Sequence, residues 1–198
     1  MSDQAQFIVL CEDLQSQVFI RRALMKRGAS SRRIYCEALP STSGSGAADA
    51  YVIKKYPGQV KAFRARNSKA STGLVVHVDA DPAQTVPRRH AQLAETLKKS
   101  DLPPRGKDEP IAELVPKRNI ETWIYSLDSS LLSGLGEAPD ENTEYRKLRG
   151  HESDCASAAE AFAEHARQHP SPSTAGLVPS LRDGLREFGR LPKLPSRS

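Results

Sequence analysis

The clearest secondary-structure signal in this chain is the apolar run Gly-Leu-Val-Val-His-Val at residues 73–78, which stops abruptly at Asp79-Ala-Asp81-Pro82. A short apolar run bounded by turn-forming residues is typical of a buried strand. Apolar residues at helical spacing follow at 86–99. A strand that leads directly into a helix is part of a βαβ unit, so this segment favours a sheet of parallel strands.

The same alternation runs through the first 135 residues. Further strands are predicted at 7–11, 34–39 and 111–115. Helices are predicted at 15–27, 48–55 and 59–66, the last two separated by Pro57-Gly58, and another begins at Ile120 with Asn119 as its cap. Residues 41–46, all Ser, Thr or Gly, are predicted to form a flexible loop. The pattern predicts an α/β fold with a central parallel sheet of about four strands flanked by helices.

The pattern changes after residue 135. An Ala-rich helix is predicted at 153–169, and a short helix at 181–188 lies within a Pro- and Ser-rich tail. We therefore expect a main domain at 1–135 and a helical, partly irregular C-terminal extension at 136–198, packed on or beside it.

The charge and the cysteines narrow the classes of function. The formal net charge of +5 favours a polyanionic partner. Three widely separated cysteines without a CxxC motif argue against a disulfide framework and against a zinc site. No segment resembles a signal peptide or a membrane span, so a cytoplasmic protein without membrane association is expected.

Carboxylates follow two of the predicted strands. Glu12 comes after the first, and Asp79 and Asp81 come after the strand at 73–78. The carboxyl ends of parallel strands meet at one edge of a sheet, where open α/β folds place their sites. Carboxylates that converge there repel one another unless a cation is present, and oxygen ligands select Mg²⁺ or Mn²⁺. The alternative is that these acids cap helices and stay solvated.

Residues after the last predicted strand extend this candidate site. Lys117 and Arg118 should emerge at the same edge, where a cation could stabilise the transition state of a phosphodiester. Glu121 is either a further metal ligand or an acid that complements the dipole of its helix. Among the histidines, His77 is expected to be structural, whereas His90 could approach the site from the following helix.

A basic segment without a single acid runs from Tyr51 to Val78. Its cations are predicted to bind the nucleic-acid backbone, and its charge could lie beside the metal. These predicted substrate-binding residues are Lys54, Lys55, Lys61, Arg64 and Arg66. The alternative is a solvated amphipathic helix whose aromatic residues are core.

A strand ended by Glu12 and a later strand ended by Asp79-Ala-Asp81 resemble the Toprim superfamily of topoisomerases, primases and OLD-like nucleases. The segment Pro116-Lys-Arg-Asn-Ile-Glu-Thr-Trp123 is similar to one in small stand-alone Toprim-like proteins of bacterial defence islands. The resemblance covers roughly residues 7–127 and implies a Toprim-like catalytic domain. It implies that Glu12 acts in acid/base chemistry or metal binding, and that Asp79 and Asp81 hold Mg²⁺. Many Toprim domains carry Gly after the first acid, where this chain has Asp13 and Leu14.

These features predict a metal-dependent endonuclease that acts on DNA or RNA. The resemblance also implies an ABC-type ATPase as a partner in anti-phage defence or DNA repair. Two alternatives stay open: a non-catalytic subunit that binds nucleic acid or a partner, and a receiver-like or phosphatase-like domain with Asp79 as phospho-acceptor. The sequence also leaves open whether the chain forms a homo-oligomer.

Overall fold

The computed structural model describes residues 5–40, 48–80, 84–128, 138–143, 145, 151–168 and 176–194. The strands are β1 (Gln6–Leu10), β2 (Ile34–Cys36), β3 (Thr72–His77) and β4 (Ile111–Leu114). The helices are α1 (Leu14–Lys26), α2 (Ala48–Asn67), α3 (Val86–Lys99), α4 (Ile120–Leu127), α5 (His151–Gln168) and α6 (Pro179–Gly189). Strands and helices therefore alternate as far as α4, and helices α5 and α6 follow in the described part of the C-terminal region.

The four strands form one parallel sheet in the order β2-β1-β3-β4. Val9 lies beside Cys36 of β2 and beside Val75 of β3, which places β1 within the sheet. Every residue of β3 is buried, as expected for a strand covered on both faces. The prediction of an α/β fold with a four-stranded parallel sheet flanked by helices is confirmed. In the described part of the chain, no helix is both long enough and apolar enough to cross a membrane.

Side chains alternate along the strands and so contribute to two hydrophobic cores, one on each face of the sheet. On one face, residues such as Ile8 and Leu74 pack with Val52 of α2 and Leu93 of α3. On the other face, strand residues pack with an aromatic group from α1, α4, α5 and α6: Phe19, Trp123, Phe162 and Phe188. Helices α5 and α6 therefore share a core with the sheet.

The segment predicted as two helices is one continuous helix, so that prediction is wrong. Helix α2 runs from Ala48 to Asn67 with Pro57 inside it. A proline costs an interior helix about 3 kcal/mol. The buried stripe Val52, Tyr56, Val60 and Phe63 extends across the proline and packs on the sheet, and its burial is worth about 1.5–3 kcal/mol per large side chain. The free energy gained by packing these side chains on the sheet is larger than the cost of placing Pro57 inside the helix.

Two other local predictions need adjustment. Strand β2 ends at Cys36, not at residue 39, although the Glu37 N–H still donates to the carbonyl of Val9 (2.9 Å). Helix α4 does begin at Ile120 after Asn119, but the Asn119 side chain accepts no hydrogen bond from the backbone N–H groups of the first turn. It binds the Tyr145 carbonyl and the Thr122 hydroxyl instead. The loop predicted at 41–46 lies outside the described residues.

Candidate metal centre

Glu12 and Asp79 meet at the carboxyl edge of the sheet, as their positions after β1 and β3 predict. The Asp79 backbone N–H donates to Glu12 Oε1 at 2.7 Å, which joins the ends of these neighbouring strands. Asp13, next to Glu12, is the N-cap of α1, and its Oδ1 accepts from the Ser16 N–H at 2.8 Å. Asp13 thus fixes the turn after β1, and the Glu12 side chain points to the end of β3, where it binds the Asp79 N–H.

His77 is a third potential ligand in the same place. Its Nε2 lies 3.7 Å from Asp79 Oδ1, since residues two apart in a strand project to the same face. One ligand atom each from Glu12, His77 and Asp79 lies within 4.8 Å of the other two. His77 is fully buried, and neither ring nitrogen has a hydrogen-bond partner among the described residues. The sequence did not identify it as a site residue; a histidine inside an otherwise aliphatic strand was the available signal.

Burial shifts the pKa values of all three groups, and repulsion from neighbouring carboxylates adds to the shifts of Glu12 and Asp79. Burial raises the pKa of Glu12 to about 7, against the opposing hydrogen bond from Asp79, and the charge of Asp13 raises it further. Burial and then the charge of Glu12 raise the pKa of Asp79 well above its usual range. Burial lowers the pKa of His77 to about 4, so its imidazole is neutral at pH 7. A divalent cation would relieve the repulsion and use the neutral nitrogen as a ligand.

The donor set fits a divalent metal ion. Two carboxylates suit Mg²⁺ and Mn²⁺ alike, and an imidazole nitrogen favours a transition ion over Mg²⁺. Asp79 Oδ1 also has no hydrogen-bond partner within the described part of the chain. A bound cation would satisfy this oxygen and the His77 ring together.

The other predicted site residues are placed as follows. Glu121, 2% exposed in the first turn of α4, is close enough for its charge to raise the pKa of Asp79. Asp81 lies outside the described residues.

The two predicted cations, Lys117 and Arg118, are half-buried. They come directly after Pro116, whose carbonyl accepts the Ala80 N–H at 2.9 Å. Both cations therefore leave β4 at the acidic edge.

Arg89 is a residue near the site that the sequence did not single out. Its fully buried guanidinium lies 3.1 Å from Asp49 Oδ2 and donates to the Ala80 carbonyl at 3.5 Å. It thereby ties the start of α2 to the turn that carries Asp79. The available signal was its place on the buried stripe of α3, with Val86 and Leu93.

The basic segment is spread along α2, so the prediction that its charge lies beside the metal is wrong for its second half. A helix of 20 residues is about 30 Å long. Asp49, near its start, raises the pKa of Glu12, whereas Arg66 lies beside Gln6, at the opposite end of β1. Lys54, Lys55 and Lys61 are exposed along the helix between these ends.

Arg64 is committed to contacts inside the protein. Its Nε and one terminal nitrogen donate to the carboxylate of Glu109 at 2.7 and 2.9 Å, and it also binds the carbonyls of Pro103 and Pro104. Such a two-pronged pair fixes the guanidinium in one orientation. Arg64 therefore anchors the loop before β4 and does not extend toward a ligand.

A second buried polar cluster surrounds Glu113 of β4. Its carboxylate accepts from the Tyr56 hydroxyl (2.5 Å) and lies 2.9 Å from His90 Nδ1. Burial opposes ionisation, but these contacts and the charge of Arg105 lower the pKa of Glu113. Arg105 also binds Glu187, which accepts from the Glu113 N–H and so holds α6 against β4. His90 thus belongs to this cluster and not to the metal centre, contrary to the sequence-based expectation.

No family model, no curated protein and no solved structure matches this chain.

The raised pKa of Glu12 predicts a pH-dependent stability difference between the wild type and Glu12→Gln. A carboxyl whose pKa rises from 4.5 to about 7 on folding destabilises the fold progressively as the pH rises through that interval. The amide oxygen of Gln still accepts the Asp79 N–H but carries no charge. We therefore expect Glu12→Gln to gain stability over the metal-free wild type between pH 5 and 8, by up to about 3 kcal/mol.

Urea unfolding of both proteins in EDTA at pH 5 and at pH 8 measures this gain. The lowered pKa of His77 has the opposite effect, because stability from a depressed base is lost as the pH falls, but it acts in both proteins and cancels in the difference. If the difference in unfolding free energy between Glu12→Gln and the wild type is the same at pH 5 and at pH 8, the prediction is wrong.

Proposed function

We propose that this chain is a divalent-metal-dependent phosphodiesterase of the Toprim-like type that cleaves nucleic acid, with Mg²⁺ or Mn²⁺ as cofactor. The observation that carries the proposal is that one ligand atom each from Glu12, Asp79 and His77 lies within 4.8 Å of the other two at the carboxyl edge of the sheet, and that the His77 ring has no hydrogen-bond partner among the described residues. When bound there, the ion would polarise a phosphoryl oxygen and activate water.

The chain's own residues divide the remaining work. Asp79, Glu12 and His77 would hold the ion, with Asp81 and Glu121 as further acidic ligands. Lys117 and Arg118 leave β4 next to the turn that carries Asp79, where they would stabilise negative charge on the phosphate. Burial raises the pKa of Glu12 to about 7 when no ion is bound, and a bound cation would hold this carboxyl in the ionised form that serves as a ligand.

The test is cleavage of labelled single-stranded and duplex DNA and RNA by the purified chain. We expect cleavage with Mn²⁺ or Mg²⁺, none in EDTA, and none with Glu12→Gln. Lys117→Ala should slow cleavage by about 10²-fold, on the scale of losing one group that stabilises transition-state charge, while Mn²⁺ still binds. Cleavage that persists in EDTA would sink the proposal.

A second candidate function is a non-catalytic subunit that binds nucleic acid or a partner through the same scaffold. One observation favours it: Glu12 Oε1 already accepts the Asp79 N–H, which is a structural role. Mn²⁺ binding without cleavage of any of the four substrates would support this candidate. The ABC-type ATPase implied by the family resemblance remains a proposed partner for either function, and co-purification of the two chains would test it.

A further inference from the structure

A basic pocket lies at the amino end of the sheet, away from the acidic edge. It has a volume of about 300 Å³ and is lined by Arg32, Arg33, Tyr35 and Arg66 above the first residues of β1. Arg32 and Arg33 belong to the short 3₁₀ turn Ser31–Arg33 that precedes β2, and Arg66 lies in the last turn of α2. Two segments far apart in sequence thus bring three arginines to one pocket.

The three arginines of this basic pocket have no carboxylate partner among the residues that the structure describes. No acidic residue lines the pocket, and all three side chains are exposed. Within the described residues, none of them forms an ion pair or a side-chain hydrogen bond, in contrast to Arg64, which lies two residues before Arg66 and pairs with Glu109. Like charges held together without a counter-charge repel one another, and a polyanion relieves that repulsion.

Tyr35 supplies a different kind of contact in the same pocket. Its side chain is 59% exposed, the highest exposure among the large hydrophobic side chains described. It stands on the short edge strand β2, in register with Ile8 of β1. An exposed aromatic ring in a pocket lined by arginines is a platform on which a nucleobase can stack. In a duplex the bases already stack on one another, so the platform favours a single strand.

We propose that Arg32, Arg33, Arg66 and Tyr35 form a binding site for single-stranded nucleic acid. The proposal deepens the proposed function by naming its substrate class. Tyr35 is level with Ile8, and Glu12 follows four residues later, so at about 3.3 Å per residue the metal centre lies on the order of 13 Å away along β1. A strand stacked on Tyr35 and running along β2 reaches the acidic edge within a few nucleotides.

Fluorescence anisotropy with a labelled single-stranded oligonucleotide in EDTA tests the site without metal or cleavage. We expect the triple variant Arg32→Ala, Arg33→Ala, Arg66→Ala to bind at least about tenfold more weakly, and its salt slope to be smaller by about 2, at about 0.7 per phosphate contact on a single strand. Tyr35→Ala should bind about tenfold more weakly, and Tyr35→Trp should bind as the wild type does.

The matched control is Lys98→Ala, Lys99→Ala, Lys107→Ala, which removes the same charge from exposed positions that do not line the pocket. If this control weakens binding as much as the arginine variant, or if Tyr35→Ala binds normally, the inference is wrong. Tighter binding of the corresponding duplex also contradicts it.

Asp79→Asn separates this inference from the proposed function. It should keep single-strand affinity, because the pocket contains no metal ligand. If the wild type binds single strands but does not cleave them, the proposed function is wrong and the binding site is supported. If cleavage does not depend on the three arginines or on Tyr35, the binding site is wrong and the proposed function is supported.

Discussion

Asp79→Asn is expected to abolish metal-stimulated cleavage and, in the metal-free protein, to raise stability at neutral pH. Asp79 contacts both other ligands of the proposed site: its N–H donates to Glu12 Oε1, and its Oδ1 lies 3.7 Å from His77 Nε2. An amide keeps the shape of the side chain but removes the charge. Mn²⁺ affinity should fall by more than the roughly 10–100-fold typical of losing an outer-shell partner.

The expected gain in stability has a separate cause. Burial and the charges of Glu12, Asp13 and Glu121 raise the pKa of Asp79, so its ionised form is costly without a cation. The neutral amide removes that cost. Titration calorimetry with Mn²⁺ and thermal unfolding in EDTA measure the two effects on one protein.

Asp13→Asn is the matched control for this substitution. It removes a carboxylate at the same edge, but Asn caps a helix as well as Asp does, so α1 should be retained. We expect Mn²⁺ to bind this variant far more tightly than it binds Asp79→Asn. Equal loss of affinity in both variants would show that the edge acts only through its total negative charge.

Gly184→Ala should destabilise the protein by about 2–3 kcal/mol, because a methyl group there has no room. A Cβ at Gly184 in α6 would lie 2.3 Å from Trp123 Cη2 and 2.8 Å from Cζ3. The indole is held in place, since it stacks on Phe162 of α5 and its Nε1 donates to the Ser180 hydroxyl at 3.1 Å. Helix α6 would have to move away from the core.

Gly189→Ala in the same helix provides the comparison. There the nearest atom to a new Cβ is the Ala166 carbonyl oxygen at 3.8 Å, an ordinary contact. Alanine should therefore be neutral or stabilising by up to about 1 kcal/mol. Urea unfolding followed by the fluorescence of Trp123, the single tryptophan in the chain, measures both variants. Equal stabilities would mean that α6 is not packed against Trp123.

Local sequence patterns predicted most of the helices and strands of this protein. Periodicity located all four strands, and the positions of Glu12 and Asp79 after two of them predicted their meeting, because parallel strands end at a common edge. The pattern failed at Pro57-Gly58, where a local helix-breaking signal was outweighed by the packing of Val52, Tyr56, Val60 and Phe63 on the sheet.

Contacts between distant segments were not predictable in the same way. Arg64 and Arg66 are two residues apart in one basic segment, yet Arg64 pairs with Glu109 while Arg66 joins Arg32 and Arg33 in the basic pocket. Their different roles depend on which neighbours the fold brings to each side of α2. Sequence spacing contains no information about those neighbours.

The sequence by itself determined the α/β architecture and the carboxylates at the sheet edge, since both follow from local periodicity and from the order of residues after each strand. Only the tertiary structure decided that His77 faces Asp79, that Arg89 ties Asp49 to the Ala80 carbonyl, and that three arginines line one pocket with Tyr35. The physical reason is that burial and the distances between charges, which set pKa values and ligand affinity, arise only when segments remote in sequence pack together.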